Sequence, residues 1–156
     1  MIIHTTGISG NQLRTITNIW LEANLDAHWF IDPEYWRNYS PEVQKAIADA
    51  ELFIFEDCGE IKGFLGLDGQ YIAGLFVNKP FRHQGIGRQL LGAAKRTYPE
   101  LTLSVYEKNP IAHQFYLDEG FRETDRVLDN VTGEMAIEMA WQKSHNEDWS
   151  FHEDIF

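Results

Sequence analysis

Two glycines one residue apart, Gly85 and Gly87, follow the apolar stretch 75–77 and open a helical pattern, with Arg82 and Arg88 on either side. A glycine-rich turn from strand to helix leaves backbone N–H groups bare at the positive end of a helix dipole, which makes an anion site. Glycine suits that place because a Cβ would block close approach of a phosphate and restrict φ. Taken alone, the pair also reads as a flexible helix cap. The surrounding charge favours the anion site. Residues 78–99 hold Lys79, Arg82, Arg88, Lys95 and Arg96 but no Asp or Glu, in a chain of formal net charge −11 with 24 acids against 13 bases. Arg82 and Arg88 are therefore candidates for phosphate oxygens. A Walker A loop would need Lys-Ser or Lys-Thr after its second glycine, and none follows. The dinucleotide fingerprint needs a third glycine or alanine where Leu90 stands.

A second constellation lies at residues 109–121, Asn-Pro-Ile-Ala-His-Gln-Phe-Tyr-Leu-Asp-Glu-Gly-Phe. Asn109 followed by Pro110 predicts a capped helix start, and Gly120 a left-handed stop. Ala112 and Tyr116 are four apart and share one helix face, where a small side chain below a phenol leaves a channel with a hydroxyl at its end. Ile111 and Phe115 share another face, expected to pack on a sheet. By itself Tyr116 is as readily a core aromatic.

The two segments together resemble the GNAT (Gcn5-related) N-acetyltransferases. Arg82-His83-Gln84-Gly85-Ile86-Gly87 is similar to the acyl-CoA signature Q/R-x-x-G-x-G/A of that family, and residues 109–121 to its second motif, N-x-x-A-x-x-F-Y-x-x-x-G-F. With the order of elements, the resemblance spans about residues 1–141. It implies acetyl-CoA as donor, lying between two strands that splay apart, here 71–77 and 101–105. Backbone groups of Leu75, Phe76 and Val77 would then hold the pantetheine arm and polarise the acetyl carbonyl. The stretch from Arg82 through His83, Gln84, Gly85, Ile86 and Gly87 to Arg88 would hold the pyrophosphate. Asn109, Ala112 and Tyr116 would complete the donor site, with Tyr116 as general acid to the departing thiolate. No metal is implied. Some family members carry a Glu five residues before the motif Asn; here that position is Ser104, which is no effective base. A water relay involving His28 or Glu22 is the expectation in its place.

The acceptor would be an amine. His28, Phe30, Tyr35 and Trp36, with Tyr71 and Phe76, form an aromatic set able to hold a lysine stem and its ammonium; the same residues could be ordinary core. The segment around His28 to Trp36 is similar to single-domain bacterial GNAT enzymes that include protein-lysine acetyltransferases. Three readings follow: transfer to a primary amine such as a protein lysine, transfer to a small amine or aminoglycoside, or an acyl-CoA-binding regulatory module without activity.

These residues must be positioned by a folded core. The chain has 156 residues, 44% hydrophobic and 13% aromatic, enough for one domain with a buried interior. Helical spacing covers 11–28. An irregular aromatic stretch broken at Pro33 is expected next, then a helix from Ser40-Pro41 to about Ala50. Strand signals at 52–56, 61–67 and 70–77 predict an antiparallel meander. Helices at 85–97 and from Asn109, and strands at 101–105, 121–128 and 135–141, follow. With an N-terminal strand, the order predicts an α+β fold: one mixed, mostly antiparallel sheet with helices on both faces. Residues 1–143 are expected to form the acetyltransferase domain and 144–156 an acidic, aromatic tail, either solvated or docked through Trp149, Phe151, Ile155 and Phe156. His145 and His152 lack the spacing of a metal pair.

The acidic charge argues against nucleic acid as partner. No apolar run is long enough to span a bilayer, and the first residues carry no basic segment before an apolar block, so neither a membrane span nor a signal peptide is expected. Cys58 is the only cysteine. It sits in an expected turn, cannot form an intramolecular disulfide, and suits a reducing cytoplasm. A monomer or homodimer is expected.

Overall fold

The structure, a computed structural model, describes residues 1–143. The tail expected at 144–156, with its histidines and aromatics, lies outside the described residues. Strands β1 (Ile2–Thr6), β2 (Glu51–Asp57), β3 (Glu60–Asp68), β4 (Tyr71–Val77), β5 (Glu100–Tyr106), β6 (Arg122–Leu128) and β7 (Met135–Gln142) are interleaved with helices α1 (Gly10–Ala27), α2 (Pro33–Asp49), α3 (Ile86–Thr97) and α4 (Pro110–Asp118). The strands form one sheet in the order β1-β2-β3-β4-β5-β7-β6. Every neighbouring pair is antiparallel except β4 and β5. This is the mixed α+β sheet expected from the sequence.

Strand alternation divides the interior into two layers. Phe53, Leu65, Leu101, Leu103 and Val105 face one side, where Ile86, Leu90, Leu91 and Ala94 of α3 cover them. Leu52, Ile54 and Phe64 face the other, covered by Ile16, Ile19 and Trp20 of α1 and by Trp36 and Ile47 of α2. Each helix is amphipathic enough to bury one stripe, and the sheet is the surface both stripes share.

The second helix differs from the expectation. It begins at Pro33, not at Ser40, so Tyr35 and Trp36 stand on a helix rather than in an irregular stretch. Asp32 caps it, its Oδ1 accepting from Glu34 N at 2.9 Å, and Pro33 occupies the first turn, where a missing N–H costs nothing. Ser40-Pro41 repeats that same pattern, but Pro41 is inside the helix. It removes one backbone donor there. The earlier start wins because only a helix from Pro33 brings Trp36 as well as Ile47 into the core.

Two irregularities of β4 prepare the site. Its register against β3 slips by one residue, from Gly66↔Gly74 to Leu67↔Ile72, which leaves Ala73 as a bulge. Its parallel pairing with β5 stops after Tyr71↔Thr102 and Ile72↔Leu103. From Ala73 to Val77 the two strands diverge. Close backbone packing holds the far edge of this stretch: a Cβ on Gly63 of β3 would lie 2.8 Å from the carbonyl oxygen of Phe76, so that position admits no side chain without moving β4.

Candidate active site

The divergence of β4 from β5 opens a cavity of about 680 Å³. Its walls come from the end of α1, the diverging part of β4, the turn before α3, and the first two turns of α4. The floor is the start of α3. Gly85 is the N-cap with φ +80°, and no side chain caps the helix. Gln89 N bonds to Gly85 O at 3.1 Å, so the N–H groups of the first turn, through Arg88, have no partner within the helix. The left-handed φ costs a residue with Cβ about 1–2 kcal/mol, which explains glycine here. No acid stands in the first turn. Bare donors and the helix dipole converge on one point of the cavity.

On the opposite wall α4 begins at Asn109, whose Oδ1 accepts from Ala112 N at 3.3 Å. One face of α4 presents Ala112 and Tyr116 to the cavity. Tyr116 is buried, packed edge-on against Phe115 at 5.2 Å and Phe121 at 5.6 Å. Loss of solvent raises its phenol above the ordinary range, with Tyr71 adding to the effect, so Tyr116 stays protonated at neutral pH. Ile111 does not pack on the sheet as expected: it is 81% exposed at the cavity rim, and only Phe115 turns inward, against Gly87. Nine residues of helix can bury one stripe, and Tyr116 with Phe115 fills it.

Of the residues expected to hold a donor, Leu75, Phe76, Val77, Arg82, His83, Gly85, Ile86, Gly87, Arg88, Asn109, Ala112 and Tyr116 all line this one cavity; Gln84 is exposed and does not. The arginines are already engaged. Arg82 donates from Nε to Val77 O at 3.2 Å and from Nη1 to Asp26 of α1 at 2.5 Å. That guanidinium holds the Asp26 carboxyl below its usual range. Arg88 lies 3.3 Å from Glu119 and is otherwise open to solvent.

The residues expected to receive an acceptor behave differently. Of His28, Phe30, Tyr35, Trp36, Tyr71 and Phe76, only Phe76 touches the cavity. His28 packs on Phe30, Trp36 and Tyr106, and Phe30 packs on Tyr106, with ring centroids 5.0–5.6 Å apart. Tyr35 sits against Trp36 at 4.9 Å. Tyr71 does not line the cavity and is 42% exposed on the sheet face away from α3, yet it lies near enough to Tyr116 to raise its phenol further. Burial pushes His28 down to about 4, so the ring is neutral at pH 7 and a weak proton acceptor. Glu22 is exposed on α1 and lines a separate polar hollow of about 310 Å³ with Lys79 and Asn78. Neither residue lines the cavity.

Trp29, part of the aromatic segment expected on the acceptor side, is 77% exposed and joins the cavity wall. Several other neighbours escaped the sequence reading, Phe81 on that wall among them. Tyr106 donates to Asp129 at 3.0 Å and anchors the β6–β7 turn to the aromatic cluster. Glu138 of β7 stands directly across from Ser104 of β5. It places a carboxylate on the same sheet face, a fact that depends on register between strands 34 residues apart in sequence. Only Trp29 had a visible signal, as part of the aromatic segment. Among the described residues no group of three or more His, Cys, Asp or Glu is placed to hold a metal, and no helix is long and apolar enough to cross a membrane.

Comparison with known proteins places this geometry. Residues 22–143 match the family model described as an acetyltransferase (GNAT) domain. The peptidyl-lysine N-acetyltransferase YiaC of Escherichia coli is 33% identical over 84% of this chain and 91% of its own. The solution structure of apo YjaB from Escherichia coli covers 92% of this chain and 98% of its own, with a TM-score of 0.79 and 26% identity. A Bacillus anthracis acetyltransferase solved in complex with acetyl coenzyme A shares the fold over 61% of this chain and 63% of its own, with a TM-score of 0.56 and 24% identity. The chain belongs to the GNAT acetyltransferase family.

Proposed function

We propose that this chain transfers the acetyl group of acetyl-CoA to the side-chain amine of lysine in a protein, with Tyr116 supplying the proton that the leaving thiolate takes up and solvent taking the proton that the nitrogen loses as the amide forms. The observation that carries the reading is a single cavity joining the uncapped start of α3 to Tyr116 across the diverging strands. The residues fit the donor. Free N–H groups of the first turn of α3 suit a pyrophosphate, and β4 beyond Ile72 has no β5 partner, leaving backbone groups on that edge for the pantetheine arm. When bound, acetyl-CoA supplies the thioester that the amine attacks. Tyr116 holds its proton at the buried phenol, and burial keeps it there at working pH. A backbone N–H of the unpaired part of β4, near Phe76, is the candidate donor to the carbonyl oxygen. Asn109 fixes the start of the helix that carries Tyr116.

Two observations support a protein lysine over a small amine. YiaC, similar over most of its length, is a peptidyl-lysine N-acetyltransferase. The aromatic residues His28, Phe30 and Trp36 pack on each other or on Tyr106 away from the cavity, while Tyr71, Thr102, Ser104 and Glu138 lie exposed on the open face of β4, β5 and β7. An open face suits a lysine presented from a protein surface, and Glu138 suits its charge. The reading is tested by incubating the protein and acetyl-CoA with lysine peptides, free polyamines and aminoglycosides, and locating the acetyl group by mass spectrometry. Acetylation at lysine Nζ of the peptides is expected. Transfer to aminoglycosides alone would replace this reading with drug modification, and CoA binding without any transfer would leave a binding module.

A further inference from the structure

We infer that His28 is a positioning residue for the donor cavity: held as the neutral Nδ1-protonated tautomer, it accepts a hydrogen bond at Nε2 from the Asn109 side-chain amide and so fixes the start of α4. The contact joins residues 81 apart in sequence, with His28 Nε2 3.3 Å from Asn109 Nδ2. His28 terminates α1, its N–H bonded to Asn24 O at 3.0 Å, and its carbonyl accepts from Ile31 N at 3.1 Å. Its backbone is thus fixed on both sides. Trp36, Phe30 and Tyr106 surround the ring. Asn109 lines the cavity, as does Trp29, the residue after His28.

The tautomer follows from counting donors. Asn109 Oδ1 accepts from Ala112 N, one of the otherwise unpaired donors at the start of α4. Turning the amide over would set its NH2 group against that N–H, donor against donor. The NH2 group therefore faces His28, and Nε2 must offer a lone pair. The ring proton then sits on Nδ1, which is buried and has no hydrogen-bond partner among the described residues to draw the proton elsewhere. Nε2–H is the commoner form of a free histidine, so the assignment is a departure that can be observed. An imidazolium would present N–H at both nitrogens and break the bond. The lowering of the His28 pKa by burial agrees with a ring kept neutral.

The consequence is a link between the two halves of the molecule. The loop after α1, which carries His28 and Phe30, and the helix that carries Tyr116 are joined by a hydrogen bond at the cavity wall. A displacement of that loop is passed to Asn109, hence to the wall formed by Ala112 and Tyr116. Packing of the aromatic core and retention of the donor are coupled through this contact.

The role rests on the reading of the cavity as the acetyl-CoA site, but its first test does not. Long-range ¹H–¹⁵N correlation of the histidine rings at pH 7 is expected to show His28 protonated at Nδ1 alone; protonation at Nε2, or at both nitrogens, overturns the inference. The second test compares CoA affinity by calorimetry in wild type, His28→Gln and His28→Phe. Gln can offer its amide oxygen to Asn109, whereas Phe fills space without accepting. Phe is expected to weaken CoA binding about three- to tenfold, the fold-change one hydrogen bond carries, and Gln to recover most of it. Equal losses in both variants, or none in either, would mean that the ring only fills volume. Wild-type protein that bound no CoA would overturn the donor-site reading and the positioning role with it, leaving the tautomer result intact.

Discussion

The donor half and the aromatic half of this molecule meet at Asn109 and His28, yet they are built on opposite principles. The donor half offers mainly backbone. Its helix α3 starts uncapped, its edge is a strand left without a neighbour beyond Ile72, and the one side chain proposed to do chemistry, Tyr116, rides on a short capped helix. The aromatic half is side chain against side chain: His28 touches Phe30, Trp36 and Tyr106, Phe30 also touches Tyr106, and Tyr35 touches Trp36. Aromatic groups at such distances gain more from each other than from facing water. A region rich in side chains capable of recognition is therefore core, and the region with sparse chemistry is the open one.

Tyr116→Phe probes the contrast most sharply. Removing one hydroxyl is expected to lower kcat roughly 10²- to 10⁴-fold, the span of general acid catalysis, with CoA affinity by calorimetry nearly unchanged. A variant with full kcat would move the proton donor elsewhere.

Trp36→Ala asks whether the aromatic half is core. A loss of about 3–5 kcal/mol in urea unfolding is expected, since Trp36 is buried against Trp20 and His28. If stability held while only the acceptor KM rose, the cluster would be a recognition surface after all.

Gly85→Val tests the backbone half. A β-branched residue at φ +80° carries strain of about 1–2 kcal/mol and puts side-chain bulk where a phosphate would approach. The expected result is a KM for acetyl-CoA raised about tenfold, with a smaller change in kcat.

The smallest effect concerns pH. His28 is depressed to about 4 from the ordinary histidine value, so the unfolded chain takes up a proton between roughly pH 6.5 and 4 that the folded ring refuses. Folding stability should therefore fall as pH drops through that window. The slope, read by urea unfolding at pH 7 and pH 5, should flatten in His28→Gln. An unchanged slope would mean that the ring titrates normally.

Much of the donor half was legible because its determinants are local. Asn109-Pro110, the Arg82–Gly87 loop and Gly120 each specify a turn or a cap within a few residues, and the structure has them at those places: Asn109 caps, Gly85 is left-handed at φ +80°, and Gly120 follows α4 at φ +92°. Local signals also misled once. Asp32-Pro33 and Ser40-Pro41 are equivalent as helix starts, and only the burial of Trp36 chooses between them. Ile111 shows the same limit. Helical spacing pairs it with Phe115, but in this nine-residue helix Phe115 packs against the core while Ile111 stays 81% exposed.

The sequence by itself determined the order of elements, which follows from turn chemistry and periodicity along the chain. It also carried two motifs whose resemblance to the GNAT family named the family and most of the residues that wall the cavity. Only the tertiary structure decided that the aromatic segment turns inward, that Arg82 is held by Asp26, that Glu138 stands beside Ser104, and that His28 meets Asn109. Each of those depends on the register of distant strands or on which helix face reaches the sheet first. Such choices are made by the summed packing of the core, and no window of neighbouring residues contains them.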